Sequence, residues 1–320
     1  MPVSNINNTF ISVLACPVCS SPLRQNRATL FCKKNHVFPI TNGIPIFRNI
    51  SYEKHAAQQK DYFEKFYTQY ERLPRLNWHE SYWRLFTKNI SLKPKKVFVD
   101  LATGTGWLAI RAAKAGCTVI ATELTYPIAR RAQEFAQKEG VKNILFLVAD
   151  ATQMPFRDKS VSYLTAIALL EHLPNDIVAI KECGRAMEKG GIVWIVTPNQ
   201  LSEQSLLFRA ILFFYDKMLG HVRHYGKTQL SKKFEHAGFV PLNAFYVGHL
   251  VKFVQLFVQT IARNDRLWWY FDRIDQRQIA KPKWGKRTNN KPCLLTNARH
   301  CFLVEKVCMF NINNRRAAAQ

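Results

Sequence analysis

From Val97 onward the chain alternates short apolar runs with amphipathic stretches. Lys96–Asp100, Cys117–Thr122, Asn143–Ala149, Val161–Ile167 and Ile192–Val196 are short and continuously apolar, which predicts buried strands. Between them, Gly106–Ala115, Pro127–Lys138 and Pro174–Glu188 have helical composition, the last stopping at Gly190-Gly191. Phe239–Val247 and His300–Val307 predict two more strands, followed by a mobile tail. The alternation predicts an α/β chain whose parallel sheet is covered on both faces. Ligands then sit at the carboxyl ends of the strands.

Outside this core the pattern changes. Tyr62–Tyr67 and Trp78–Phe86 predict aromatic helices, either a lid over the ligand or further core packing. Leu206–Tyr215 is strongly apolar. His249–Ala262 places Leu250, Val251, Val254, Phe257, Val258 and Ile261 at helical spacing. It runs into Arg266–Phe271 with Trp268 and Trp269, and then into Lys281, Lys283, Lys286 and Arg287. Aromatics beside cations suit an anionic bilayer face, at about 1 kcal/mol per basic side chain. The same residues also suit an accessory helical layer packed on the core.

Composition sharpens this picture. The 320 residues carry 46 Lys plus Arg against 22 Asp plus Glu, a net charge of +24. Residues 1–96 hold +10, 97–262 hold +5 and 263–320 hold +9, so the excess sits on the flanks. That is either a solvated surface or two arms reaching for something anionic, a membrane face or RNA. The opening residues lack a basic segment followed by an apolar one, and no uninterrupted apolar run of about 18 residues occurs. A cytoplasmic protein with reduced thiols is expected, peripheral on the inner membrane face if the bilayer reading holds.

Cys16-x2-Cys19 is followed by Cys32 and then His36. Two thiolates on one turn face one ion, and a hairpin through Ser20-Ser21-Pro22 and Thr29-Leu30-Phe31 returns the second pair. Three sulfurs and one imidazole can close a tetrahedral zinc site with no open position, which predicts a structural metal; a disulfide or idle thiols is the other reading of the same cysteines. So small a unit has little core, so the metal would supply most of its folding energy. The ligand spacing resembles the zinc hairpin of bacterial ribosomal-RNA guanine methyltransferases. Phe38-Pro39-Ile40-Thr41-Asn42-Gly43-Ile44-Pro45 is similar to a small zinc-ribbon family found beside methyltransferases, in which a Cys is the usual fourth ligand.

The loop Asp100-Leu101-Ala102-Thr103-Gly104-Thr105-Gly106 follows the first core strand. Its glycines let a ligand lie against main-chain amides. Glu123 ends the second strand, where a carboxylate can accept both ribose hydroxyls. Asp150 ends the third, where it can meet an adenine amine. Three acidic residues on successive strand ends form a nucleoside-binding row. The phosphate-loop pattern is absent. Gly104-Thr105-Gly106-Trp107-Leu108-Ala109 fits a nicotinamide-binding pattern, but that reading leaves Asp100, Asp150 and Glu171-His172 unexplained.

Val97 to Lys306 resembles the class I S-adenosylmethionine-dependent methyltransferases. The matching pieces are the Asp100 loop, Glu123, Asp150-Ala151, Met154-Pro155-Phe156, Leu170-Glu171-His172-Leu173-Pro174 and Gly190 to Asn199. The resemblance implies a Rossmann-like seven-stranded sheet whose last strand runs antiparallel, with helical insertions. It implies S-adenosyl-L-methionine held by Asp100, Ala102, Thr103, Gly104, Gly106, Glu123, Leu124, Asp150, Ala151 and Ala166. Ala102 stands where the family often has Gly, and asks only for φ < 0 and room for one methyl. Ser162 stands where the family often has Asp.

Methyl transfer from a sulfonium asks mainly for alignment and exclusion of water. Glu171 and His172 could face the acceptor as acid–base groups, or His172 could cap the next helix. Gly220-His221-Val222-Arg223-His224-Tyr225 resembles a recurrent segment of small-molecule and lipid-precursor methyltransferases, in which Arg223 could grip an anionic acceptor or order the loop. The expected layout is a zinc module at 1–50 and a helical lid at 51–95. The methyltransferase core follows at 96–247, with an insertion at about 200–226. A basic amphipathic insertion fills 248–298, the final strand 299–308 and the tail 309–320. The acceptor is expected to be a small or lipid-linked molecule. RNA is the alternative, DNA is not expected, and a non-catalytic scaffold is the third reading.

Overall fold

The protein is described from a computed structural model. It describes residues 5–47, 54–68, 70, 71, 73, 77–198, 213, 216, 217, 219–247 and 305–312. The apolar segment at 206–215 (Phe213 apart), the insertion at 248–298 and the first part of the expected last strand lie outside them.

A short helix α1 (Asn8–Ile11) leads into a four-stranded antiparallel sheet, β1 (Leu23–Asn26), β2 (Thr29–Cys32), β3 (Val37–Thr41) and β4 (Ile44–Pro45), in sequential order. Helices α2 (Lys54–Thr68) and α3 (Asn77–Asn89) follow. The core then runs β5 (Val97–Leu101), α4 (Trp107–Lys114), β6 (Thr118–Glu123), α5 (Tyr126–Lys138), β7 (Ile144–Val148), β8 (Val161–Ile167), α6 (Asp176–Ala186), β9 (Met187–Pro198), α7 (Lys227–His236), β10 (Phe239–Val247) and β11 (Glu305–Ile312). The seven strands order as β10-β11-β9-β8-β5-β6-β7. β5 to β9 pair in parallel, and β11 inserts antiparallel between β9 and β10. This is the expected Rossmann-like sheet. The central strands are buried along nearly their whole length, which is why they read as unbroken apolar runs.

Three boundaries depart from the sequence reading. The helix expected to reach Glu188 ends at Ala186, and β9 begins at once, running through Gly190 and Gly191. Val161 pairs with Met187 but Tyr163 pairs with Ile192, so β9 bulges there, with Gly190 at φ 80°. The glycines that look like a helix stop serve a bulge instead. The last strand continues to Ile312, so residues 309–312 belong to the sheet and not to a tail, with Met309 and Phe310 buried. Helix α3 is no lid. Phe86 packs on Phe98 and Trp194, and His79 stacks on Trp107 at 4.2 Å.

The N-terminal sheet is not a separate bead. Phe47 N–H donates to the Val148 carbonyl at 2.8 Å and Ile46 bridges Val148 in parallel, which covers the outer edge of β7. Leu14 bridges Phe156, and Ala15 N–H donates to the Pro155 carbonyl. Phe10, Leu14, Leu23, Leu30 and Phe38 form one continuous apolar cluster with Met154 and Phe156 of the larger domain. The expectation of a module with almost no core is corrected by this sharing: its apolar side chains are buried against its neighbour.

Candidate functional site

The carboxyl ends of β5, β6, β7 and β8 open onto one cavity of about 620 Å³, within the ordinary range for small-molecule sites. Ala102, Glu123, Leu124, Asp150 and Ala151 line it, together with Thr122, Thr125, Ile128 and Thr152. Glu123 accepts hydrogen bonds from Gly104 N–H at 2.6 Å and Leu124 N–H at 3.0 Å. It is 7% exposed, and burial pushes its carboxyl up to about 7. The Asp150 Oδ1 atom accepts from both the amide and the hydroxyl of Thr152. Of the three carboxylates expected in one row, Glu123 and Asp150 line the cavity and Asp100 does not.

Asp100 has a different job. It is buried, accepts from the Thr103 hydroxyl at 2.6 Å and the Thr165 hydroxyl at 2.5 Å, and lies behind the cavity wall. Burial raises its carboxyl to about 6. It ties the glycine loop to β8. Gly104 has φ 56°, and a Cβ there would stand 2.9 Å from the Tyr67 ring. Gly106 has φ 77°, and a Cβ would crowd Ala132 at 3.2 Å. Thr103, Gly104 and Gly106 therefore shape the loop without lining the cavity. Ala102 has φ 51°, which overturns the expectation of φ < 0 and costs about 1 kcal/mol relative to glycine. Ala166 points into the apolar core, and the small residue that faces the cavity is Ala168, also left-handed at φ 51°.

His172 also lines the cavity, with Phe47, Phe63, Leu169, Leu173 and Val178 and the polar Lys60 and Asn175. Phe63 and Tyr67 of α2 line the cavity, and Phe63 meets the His172 ring edge-on at 5.3 Å. Glu171 is fully buried behind His172, where burial raises its carboxyl. Its Oε2 accepts from the Thr197 hydroxyl at 3.2 Å, while its Oε1 finds no hydrogen-bond partner among the described residues. The loop at 220–225 folds against this turn. Val222 N–H donates to the Glu171 carbonyl, and the Tyr225 hydroxyl donates to the Leu170 carbonyl. Arg223 pairs with Asp176 at 2.8 Å and donates to the Pro174 carbonyl, so its guanidinium orders the loop and is absent from the cavity wall. His221 reaches within 4.8 Å of the ligating atoms of Glu171 and His172, and Asp216 holds both His221 and His224 at 2.7 Å. Sequence reading missed Asp216 and Lys60. The only signal for Asp216 is its spacing before His221 and His224.

At the other end of the chain, Cys16, Cys19, Cys32 and His36 converge. The Cys16 and Cys32 sulfurs stand 3.3 and 3.4 Å from His36 Nδ1, and Cys19 stands 3.6 Å from Cys32. The edges of a tetrahedron built on Zn–S of about 2.3 Å and Zn–N of about 2.0 Å are about 3.5–3.8 Å. The donor set fits that ion.

Residues 99–195 match a family described as a methyltransferase domain. A demethylmenaquinone methyltransferase of Staphylococcus aureus is 24% identical over 200 residues, 56% of this chain and 83% of its own. Among solved structures, a chain in the complex of the Haloferax volcanii Trm112 methyltransferase activator with its methyltransferase superimposes with TM-score 0.54 at 13% identity, covering 82% of this chain and 100% of that one. Haemonchus contortus phosphoethanolamine N-methyltransferase 2, solved with S-adenosyl-L-methionine, gives TM-score 0.53 at 13% identity over 84% of this chain and 62% of its own.

Proposed function

We propose that this chain, a class I S-adenosylmethionine-dependent methyltransferase by its domain and its fold, methylates a hydroxyl-bearing ring held against His172. The observation that carries the reading is one cavity lined by both Glu123 and Asp150 and by His172. Glu123 and Asp150 suit the adenosine of S-adenosyl-L-methionine, with the ribose hydroxyls on Glu123. That cofactor supplies an activated methyl group and its own leaving group. The chain aligns the acceptor and excludes water through Phe63 and Tyr67.

Phe63 against His172, with Leu169 and Leu173 also lining the cavity, suits an aromatic ring with a polar substituent. The staphylococcal relative is a demethylmenaquinone methyltransferase, so a quinone-type ring is the first acceptor to try. A ring hydroxyl becomes a good nucleophilic system only on losing its proton; His172 lines the cavity, with Glu171 and His221 close to it, and Lys60 also lines it. The sequence at 249–271 supports delivery from an anionic membrane face. Cys16, Cys19, Cys32 and His36 bind structural zinc.

The test is incubation of the full chain with methyl-labelled cofactor and either reduced quinone precursors or cell fractions sorted into lipid, RNA and small-molecule pools. Label is expected in the lipid or ring-containing pool. His172→Ala should lower kcat at least 100-fold with cofactor affinity unchanged. Label confined to RNA would overturn the reading.

A further inference from the structure

Three ionisable groups meet where His172 lines the cavity, and acid–base chemistry needs only one of them. Glu171, His172 and His221 each place one potential ligand atom within 4.8 Å of the other two. Glu171 brings a carboxylate with 0% exposure, one oxygen satisfied by Thr197 and the other without a partner among the described residues. A buried carboxylate oxygen left unpaired carries a desolvation penalty that evolution usually removes unless something binds there.

The surrounding geometry fixes this group of three. Glu171 and His172 lie in one turn, Leu170–His172, after β8. The loop that carries His221 is tied to the same turn by Val222 N–H on the Glu171 carbonyl at 2.9 Å and by the Tyr225 hydroxyl on the Leu170 carbonyl at 3.1 Å. Arg223 and Lys233 anchor the loop and α7 to Asp176. His221 Nδ1 is engaged with Asp216 at 2.7 Å, which orients the ring. A carboxylate behind an imidazole is the usual outer support of a metal-bound histidine.

A second group, Asp216, His221 and His224, is also close enough to share an ion. There the carboxylate already has both oxygens on imidazoles, at 2.7 Å each, and no unpaired acceptor remains. The demand for a cation lies on the Glu171 side.

We propose that Glu171, His172 and His221 bind one divalent first-row transition-metal cation at the acceptor end of the cavity, with Asp216 positioning His221. Two imidazoles and one carboxylate on one side of an ion leave its other positions open, as catalytic sites do. The inference rests on the acceptor reading above for its use. The cation would lower the pKa of a coordinated acceptor hydroxyl so that its proton passes to solvent; the acceptor's bond to the methyl group would form as the methyl–sulfur bond of the cofactor breaks, the sulfur keeping the electron pair and leaving as S-adenosylhomocysteine.

The probe is Mn2+, which favours oxygen and imidazole donors over the thiolates of the N-terminal site. Loss of the free Mn2+ electron paramagnetic resonance signal on adding full-length protein should report one ion per chain. Glu171→Gln and His221→Ala should each weaken binding at least tenfold, and Asp216→Asn several-fold, while each variant still binds S-adenosyl-L-methionine. Retained cofactor binding separates loss of the site from loss of the fold. Equal Mn2+ binding by wild type and Glu171→Gln, or none by folded wild type at millimolar Mn2+, would overturn the proposal. Bound Mn2+ with no transfer to any hydroxyl-bearing ring would leave the site standing and sink the acceptor reading.

Discussion

At the scale of single residues, the site works by placing carboxylates in low dielectric and then giving them donors. Glu123 is held by two backbone amides, yet burial still lifts its carboxyl to about 7. A ribose needs the ionised form as acceptor, so cofactor binding and proton binding compete at Glu123. Affinity for S-adenosyl-L-methionine should therefore be level above pH 8 and fall as pH drops through 7, approaching tenfold per pH unit below it. Calorimetric titrations between pH 5.5 and 8.5 check this, and Glu123→Gln should remove the dependence while lowering affinity. The sign for stability is opposite. Because the folded carboxyl of Glu123 sits above its ordinary value of 4.5, the unliganded protein gains stability toward acid and loses it as pH rises from about 4.5 to 7. A flat affinity profile across that range would mean that Glu123 does not touch the ribose. Asp100 titrates next to it but lies behind the wall, so its charge shapes the loop and not the ligand contact.

At the scale of elements, the legible parts were those in which local pattern and tertiary need agree. β5, β6, β7 and β8 are buried on both faces, so continuous apolar runs marked them. Gly104 and Gly106 sit at positive φ in a loop that needs it. The bulge in β9 was hidden because Gly190-Gly191 satisfies two local rules at once, a helix stop and a strand kink. Only the pairing with β8 decides between them. The role of α3 was hidden for a similar reason: an aromatic face reads alike whether it covers a ligand or Phe98 and Trp194. The His221 loop was visible as a motif, but nothing local says that Asp216 holds it or that Arg223 spends its charge on Asp176. The Cys16, Cys19, Cys32 and His36 cluster was legible because the spacing of its residues alone nearly fixes it. Chelation should release one zinc per chain, measured by elemental analysis, and lower Tm. The far-UV dichroism at 25 °C should change little, because Leu14, Leu23, Leu30 and Phe38 remain in the shared cluster. Release of less than a tenth of an equivalent from freshly purified protein would remove zinc from the account.

At the scale of the whole molecule, the boundary drawn at residue 50 divides two sheets but not two folding units. Strand edges, backbone hydrogen bonds and apolar side chains all cross it. The Val148 carbonyl accepts from Phe47, the Val13 carbonyl accepts from Arg157 N–H at 2.9 Å, and Phe156 is covered beside Leu14. Phe47 also lines the cavity, so the small sheet completes the site as well as the core. Were the halves independent, calorimetry would resolve two transitions, with the zinc-bearing one answering alone to chelator. The shared cluster predicts one cooperative transition among these parts, and its midpoint should shift with chelator and with cofactor alike. Deleting residues 1–47 would strip the cover from the β7 edge and expose Met154 and Phe156, leaving an aggregation-prone strand. The truncated chain should be insoluble, or soluble with cofactor affinity reduced at least tenfold. A soluble truncation that binds S-adenosyl-L-methionine as tightly as the full chain would show that the N-terminal sheet is only a passenger. It would also place the determinants of cofactor binding within residues 48–320.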